Sequence, residues 1–558
     1  MIRDALRMLR GEVRGMHAAA YVLGLSALGS ALLALVRDRL FAHTFGASEM
    51  LDIYYAAFRV PDLIFVLIAS LFSAYVLIPE LAKRVDRIDA RRYLDAIFIG
   101  YGALMLAVSA IAFVATPYLL EALFPELYAG AHREEFLLLA RMLLLQPLFL
   151  GASNIFAAIT QHENRYGLYA ITPLLYNASI IVGLVLLYPQ FSLLGIGIGV
   201  VVGAFLHLAV QVPAAFQSGF INTGIPRADF AVVWETMRVS LPRTLALSMG
   251  QLLIFGLLAL AGMLREGSIA IFIFALNLQA VPLSIIGASY SVAAFPTLSR
   301  MFAQGDTPAF VEQVVGAARH IIFWSAPAVA LFIVLRAHVV RVVLGSGAFD
   351  WTDTRLTAAA LALLVTALIP QSLSLLLVRG YYAAGRSYVP LIVTLLSSIV
   401  AYIFALGFLG AFSFVGVVHF VGELLRVSDV PGVEMLALPA AYSIGMWLSF
   451  LLLTMLFERR FQGFVRGISR TVWEALTAAG LAGAAAYTLL AVLGEISPLD
   501  SLFAVLLQAS VAGVGGILVG IMVYAFAGSQ ELLETYQTIA RRTKPAAHPG
   551  SSEEQLTQ

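Results

Sequence analysis

The sequence predicts an all-helical protein that crosses a membrane many times, and three observations carry that expectation. Of its 558 residues, 61% are hydrophobic and 12% charged, against about 45–50% apolar and about 25% charged in soluble domains. The apolar residues run in blocks near the ~20 residues a helix needs to cross the hydrocarbon core. The basic residues gather in alternate connections between the blocks, the bias that orients membrane helices with Lys and Arg inside. A soluble chain of this size lacks the interior volume to hide so much apolar surface.

Fourteen spans are expected, at 17–36, 52–79, 94–115, 136–159, 168–187, 193–212, 245–263, 269–295, 313–335, 356–378, 389–409, 436–456, 473–493 and 502–526. The opening, "MIRDALRMLRGEVRGMHAAAYVLGLSALGS", is basic and then apolar like a secretory leader. More apolar blocks follow at once, without a small-residue cleavage site before a polar domain, so it reads as a retained first span. Pro61 and Pro282 fall inside the second and eighth spans, which are expected to kink or tilt. The ninth is the weakest, because Arg319 and His320 lie in its first turns. Between the eleventh and twelfth, Val417, Val418, Phe420, Val421, Leu424 and Leu425 form a stripe suited to a short helix on the outer interface. Beyond Gly528 the tail is amphipathic, then polar enough to read as disordered.

With the N-terminus cytoplasmic, the inner side receives Arg3, Arg7, Arg10 and Arg14, then Lys83, Arg84, Arg87, Arg91 and Arg92, and later Arg459, Arg460, Arg466, Arg470, Arg541, Arg542 and Lys544. Arg379 and Arg386 read as further inner-loop signals. Both termini are therefore expected inside. The stretch "VRDRLFAHTFGASEMLDIYYAAFRVPDLIF" opposes the bias, since it puts Arg37 and Arg39 at the outer end of the first span. Local compensation is expected from Asp38, Asp52 and Asp62, acids close by in sequence.

An internal repeat is also expected. Pro79 and Pro296, and likewise Pro173 and Pro390, are both 217 residues apart in similar local sequences. An even number of spans separates each pair, so the copies are parallel, as in transporters whose halves are related by an axis along the membrane normal. The expected organisation is a lobe at 1–216, a lobe at 217–458, a central cavity between them, a helix pair at 459–527, and a cytoplasmic tail at 528–558.

The stretch from "RDRLFAHTFGASEMLDIYYAAFRVPDLI" to "SAYVLIPELAK" resembles the MurJ/MviN family of lipid II flippases, within the multidrug/oligosaccharidyl-lipid/polysaccharide exporter superfamily. The eighth span, "VPLSIIGASYSVAAFPTLSR", resembles the family's second lobe. The resemblance covers nearly the whole chain. It implies a flippase moving undecaprenyl-pyrophosphate-linked peptidoglycan precursor from the inner to the outer leaflet of the bacterial inner membrane. It implies alternating access, a lipid-linked headgroup as substrate, and cell-wall synthesis enzymes as further partners. By the same resemblance, Arg37 and Asp38 are the family's arginine and following acid, Asp52 its loop aspartate, Arg59 its basic residue before the proline, and Asp62 the residue after it. Three departures stand out: Ala31, the pair Phe65–Val66, and Asn277 occupy positions where the family usually carries arginines.

The candidate binding or gating residues are thus Arg37, Asp52, Arg59, Arg39, Asp38, Asp62, Asn277 and Gln279. Arginines facing a cavity present a planar fork matched to phosphate oxygens, with Asp52 holding one of them or gating; Arg37, Asp52 and Arg59 are expected to meet at the outer end beside the cavity. The alternative is a solvated corner whose ion pairs pin the first two helices. Asn277 and Gln279 either line the cavity or bond helix to helix. Gly46 is read as a turn glycine, and His207 and His419 as packed or interfacial. No motif points to covalent catalysis, a cofactor, a metal or nucleic acid. Two other functions share the fold expectation: export of another polyprenyl-linked saccharide or a drug, and a transport-inactive scaffold for envelope enzymes.

Overall fold

The computed structural model describes residues 16–84, 86–163, 165–220, 229–496 and 501–543. The expected inner signals at Arg3 to Arg14 and the polar tail beyond 543 lie outside them. The described chain is helical and contains no strand. In the first half the principal helices are α1 (Met16–Phe45), α2 (Glu49–Ala57), α3 (Arg59–Leu67), α4 (Ala74–Lys83), α5 (Arg87–Leu123), α6 (Leu145–His162), α7 (Tyr166–Val182) and α8 (Leu193–Ala209). The second half contributes α9 (Phe230–Ala261), α10 (Ser268–Pro282), α11 (Ser289–Ala303), α12 (Thr307–Val343), α13 (Trp351–Val365), α14 (Leu368–Ala383), α15 (Tyr388–Ala411), α16 (Val415–Leu425) and α17 (Ala437–Phe461). Then follow α18 (Phe464–Ile496), α19 (Leu502–Ala527) and α20 (Gln530–Thr543).

Among the described residues, ten helices are long and apolar enough to cross a membrane, or twelve if each of two bent pairs is one span. Of the fourteen expected spans, those at 17–36 and 245–263 fall on α1 and α9, which are outside that count. The ninth, doubtful from its charges, lies in the unbroken 37-residue α12. There Arg319 escapes the hydrocarbon by donating to the Gly467 carbonyl at 2.9 Å, and His320 meets Glu534 at 2.9 Å.

Both proline-bearing spans are interrupted. The second divides into α2, α3, a 3-10 turn at Ala69–Phe72, and α4, with a 41° bend. The break lies at Phe58, so that Pro61 occupies the first turn of α3. A first-turn proline sacrifices no intrahelical bond. In the eighth span α10 ends at Pro282 and passes through a π-helical turn, Leu283–Ala288, into α11. Such wide turns recur at functional sites.

Helix pairing in the first half runs α1 on α7, α7 on α8, α8 on α6, and α6 on α4 and α5. In the second half α9 packs on α15, α15 on α17, α17 on α14, and α14 on α11 and α12. The same chain of pairings thus recurs in the same order, with Pro79 and Pro296 inside α4 and α11. Helix α18 packs along α12 and α19. Helix pairs in lipid approach closely through small residues, and one crossing shows this directly. A Cβ on Gly199 of α8 would lie 2.7 Å from the Ser179 carbonyl oxygen and 2.8 Å from Gly183 Cα.

Both contacts are backbone and cannot yield cheaply. Gly199→Leu is expected to cost at least the ~1–3 kcal/mol typical of overpacking. A lowered thermal midpoint and yield in detergent, relative to Gly480→Leu at an open position, would report it.

Candidate functional site

The first helix runs past its expected end at Val36 to Phe45, so Arg37, Asp38 and Arg39 are still helical. Successive helical residues point about 100° apart, so three adjacent charges face three neighbours. Arg37 turns to its own half. Its Nε and Nη2 donate to Asp38 Oδ1 at 3.1 and 2.8 Å, and its Nη1 to Asn177 Oδ1 of α7 at 3.1 Å. Asp38, 2% exposed, spends its other oxygen across the molecule, accepting from Asn277 Nδ2 of α10 at 2.8 Å. Arg39 donates to the carbonyls of Val342 and Val343 at 2.6 and 3.1 Å. These are final carbonyls of α12, where a helix dipole favours a cation. The expectation that nearby acids balance both arginines therefore holds for Arg37 and fails for Arg39, which a helix end of the other half satisfies.

The loop after α1 continues this contact. Gly46 turns the chain with φ +62°. Ala47 donates its N–H to Asp353 Oδ2 at 3.1 Å, and the Ala348 N–H donates to the His43 carbonyl at 2.9 Å. Asp52, buried at 2% exposure, accepts from the backbone N–H groups of Gly267 at 2.7 Å and Ala270 at 2.8 Å. It thereby caps the N-terminus of α10 from outside that helix, where unpaired N–H groups and the dipole attract an anion. Gly267 has φ +86°, and a Cβ there would fall 2.3 Å from the Ala47 carbonyl oxygen, so only glycine lets the halves close. Asp52 hydrogen-bonds neither Arg37 nor Arg59, and the expected three-residue cluster does not form.

Arg59 stays with its own segment. Its Nε donates to the Tyr55 carbonyl at 2.9 Å and its Nη2 lies 3.4 Å from Asp62 Oδ2. The Asp62 side chain is 40% exposed and those of Arg59 and Arg37 are 16% and 20% exposed, so all three keep some access to solvent. Tyr55 lies within electrostatic reach of Arg37, Asp38 and Arg59, so the two pairs form one neighbourhood.

Asn277 and Gln279 part company, as residues two apart on a helix must. Gln279, 2% exposed, donates to the Leu364 carbonyl at 2.9 Å and to Gln371 Oε1 at 3.2 Å, while Gln371 donates to the Tyr442 hydroxyl at 3.0 Å. Its role is helix–helix bonding within the second half. His207 is packed, with Nδ1 2.7 Å from Ser153 Oγ. Sequence reasoning missed Asn177, Asp353 and Gly267. Asn177 lies one helical turn after Pro173, and no local signal ties the other two to partners 215 and 306 residues away.

A bundle with ten to twelve helices long and apolar enough to cross a membrane, joined at one end by buried polar contacts, defines a polytopic membrane protein. The comparisons make it specific. The family model "Lipid II flippase MurJ" matches residues 41–506, and the chain belongs to that family. Among its relatives, the probable lipid II flippase MurJ of Thermotoga maritima is 27% identical over 379 residues, 66% of this chain and 75% of that protein. That of Rickettsia prowazekii is 23% identical over 381 residues, 66% and 73% of the two chains. The solved structure of a lipid II flippase MurJ in an inward closed conformation shares the fold, with a TM-score of 0.71 and 20% identity over 93% of this chain and 100% of that one. An inward-facing multidrug resistance MATE transporter follows with a TM-score of 0.61 and 18% identity, over 80% and 95%.

The Asp38–Asn277 contact yields a direct test. Removing the amide in Asn277→Ala leaves a buried carboxylate oxygen unpaired, at a cost of about 1–3 kcal/mol. Asp38→Asn combined with it is expected to cost less than the two single changes added together. Thermal or denaturant unfolding in detergent measures the cycle, and strict additivity would contradict the contact.

Proposed function

We propose that this protein flips lipid II, the undecaprenyl-pyrophosphate-linked peptidoglycan precursor, from the inner to the outer leaflet by alternating access. The observation that carries the reading is the asymmetry of the charged stretch. Asp38, Arg39, Ala47 and Asp52 join the two halves at one end, while Arg37 and Arg59 pair within the first half and stay partly exposed. That is how a carrier closed on one side is built. The bias of Lys and Arg makes the closed end the outer one, with both termini cytoplasmic in the bacterial inner membrane. Residues 1–216 and 217–458 would be the two moving lobes, supported by the recurring pairings, with 459–527 a fixed pair and 528–558 a cytoplasmic tail. No covalent step is required, and envelope enzymes would be partners by proximity.

Arg37 and Arg59 each already hold a carboxylate. A pyrophosphate would therefore enter by exchange: its oxygens replace Asp38 on Arg37 and Asp62 on Arg59. Asp38 keeps its bond from Asn277 when released but loses its ion pair, a cost that the pyrophosphate's bonds to the two arginines must offset. Bidentate recognition needs the guanidinium fork, which lysine lacks.

Restored growth of cells depleted of their own lipid II flippase is the expected result for the intact chain. Arg37→Lys is expected to lower headgroup flipping per folded molecule by about tenfold, the loss of one charge-assisted bond of roughly 1.5 kcal/mol. Unchanged flipping in Arg37→Lys and Arg37→Ala at normal protein level would remove Arg37 from the site. Failure of rescue by a well-expressed protein would contradict the cargo.

A further inference from the structure

A charged recess lies at the end of the molecule where Asp52 caps α10. It has a volume of about 680 Å³ and is bounded by the last turns of α12, the start of α13, helix α16 and the far part of α18. Three arginines face it: Arg336, Arg355 and Arg426. Only one has an acid. Arg355 donates to both Asp429 oxygens, at 2.6 and 2.7 Å, and to the Arg426 carbonyl at 2.6 Å. Arg336 donates only to neutral acceptors, the Ile333 carbonyl at 2.9 Å and the Leu425 carbonyl at 3.4 Å. Arg426, in a left-handed turn with φ +60° at the end of α16, reaches the Tyr487 hydroxyl at 3.4 Å. Both guanidiniums face the recess, and among the described residues no carboxylate bonds either of them.

The other walls are apolar: Leu424, Leu425, Leu490 and Ala491 line the same space. The helix beside it turns bare apolar side chains outward, with Val415 83%, Phe420 68% and Leu424 65% exposed. Such a face is stable only against the acyl and headgroup boundary of a bilayer. Two unneutralised cations beside an apolar groove opening onto lipid match one occupant in charge and polarity. We propose that this recess is a binding site for an anionic phospholipid, with its phosphodiester between Arg336 and Arg426 and its acyl chains along Leu424, Leu490 and Ala491. Free phosphate supplies the anion but leaves the apolar wall unfilled. In the orientation proposed above the lipid comes from the outer leaflet; the site itself does not depend on the transported cargo.

The test uses the full chain in detergent. Native mass spectrometry counts retained phosphatidylglycerol against phosphatidylcholine, with and without millimolar inorganic phosphate as competitor. Wild type is expected to prefer phosphatidylglycerol by about tenfold or more, since each arginine near a membrane surface contributes on the order of 1 kcal/mol toward an anionic lipid; phosphate should not displace it. The double variant Arg336→Gln/Arg426→Gln should lose the preference. Ala491→Trp should lose the lipid while keeping both arginines, so the test does not depend on one variant folding. Equal binding of the two lipids by wild type, displacement by phosphate, or wild-type preference in either folded variant would overturn the proposal. Because binding is read without transport, such a failure leaves the flippase reading untouched.

Discussion

The closed end of this molecule depends on one buried carboxylate. Asp52 belongs to the first half, yet both its oxygens are spent on the N-terminus of α10 in the second half. A carboxylate taken from water without compensation is very costly. Here two backbone donors and the positive end of a helix dipole supply the compensation. Bonds to a charged group contribute about 1.5–3 kcal/mol each, and that stabilisation exists only while the halves touch. Gly267 is part of the same device, because any side chain there would meet the Ala47 carbonyl.

Around that point further contacts also cross between the halves. Arg39 closes on the C-terminal carbonyls of α12, Asp38 on Asn277, and the Ala47 amide on Asp353. Helix ends serve as partners for both signs, anion at an N-terminus and cation at a C-terminus. A carrier needs such contacts to be specific and breakable. A shift between 1:99 and 99:1 populations takes about 5.5 kcal/mol in all, so the closed end must exceed its open alternative by only a few kcal/mol. Opening gives these groups water in place of each other, which keeps the difference small although each bond is strong.

Much of the fold was legible in the sequence, because hydrocarbon imposes a length and a polarity that composition cannot disguise. Every expected span lies on a helix or a broken helix pair, and the prolines at 61 and 282 did mark interruptions. Their exact form was not legible. Pro61 settles into a first turn and leaves the break to Phe58, and a proline alone does not announce a π-helical turn. At the site, the charges that violate the positive-inside bias did mark a corner where the two halves meet. Their partners could not be read, since Asp52 and Arg39 are satisfied by backbone groups, which carry no residue identity. Arg37, Asp38 and Arg39 look like one cluster in sequence and separate in space because α1 continues through them, turning each in its own direction.

The central claim is that Asp52 holds the two halves together at this end. The native chain has no cysteine, so spin labels can be attached at Ser48→Cys and Glu266→Cys, either side of the Ala47–Gly267 contact. Pulsed electron–electron resonance then reports the separation in wild type and in Asp52→Ala. The account predicts one short distance in wild type and a second, longer population in the folded variant. A single unchanged short distance in folded Asp52→Ala would contradict it.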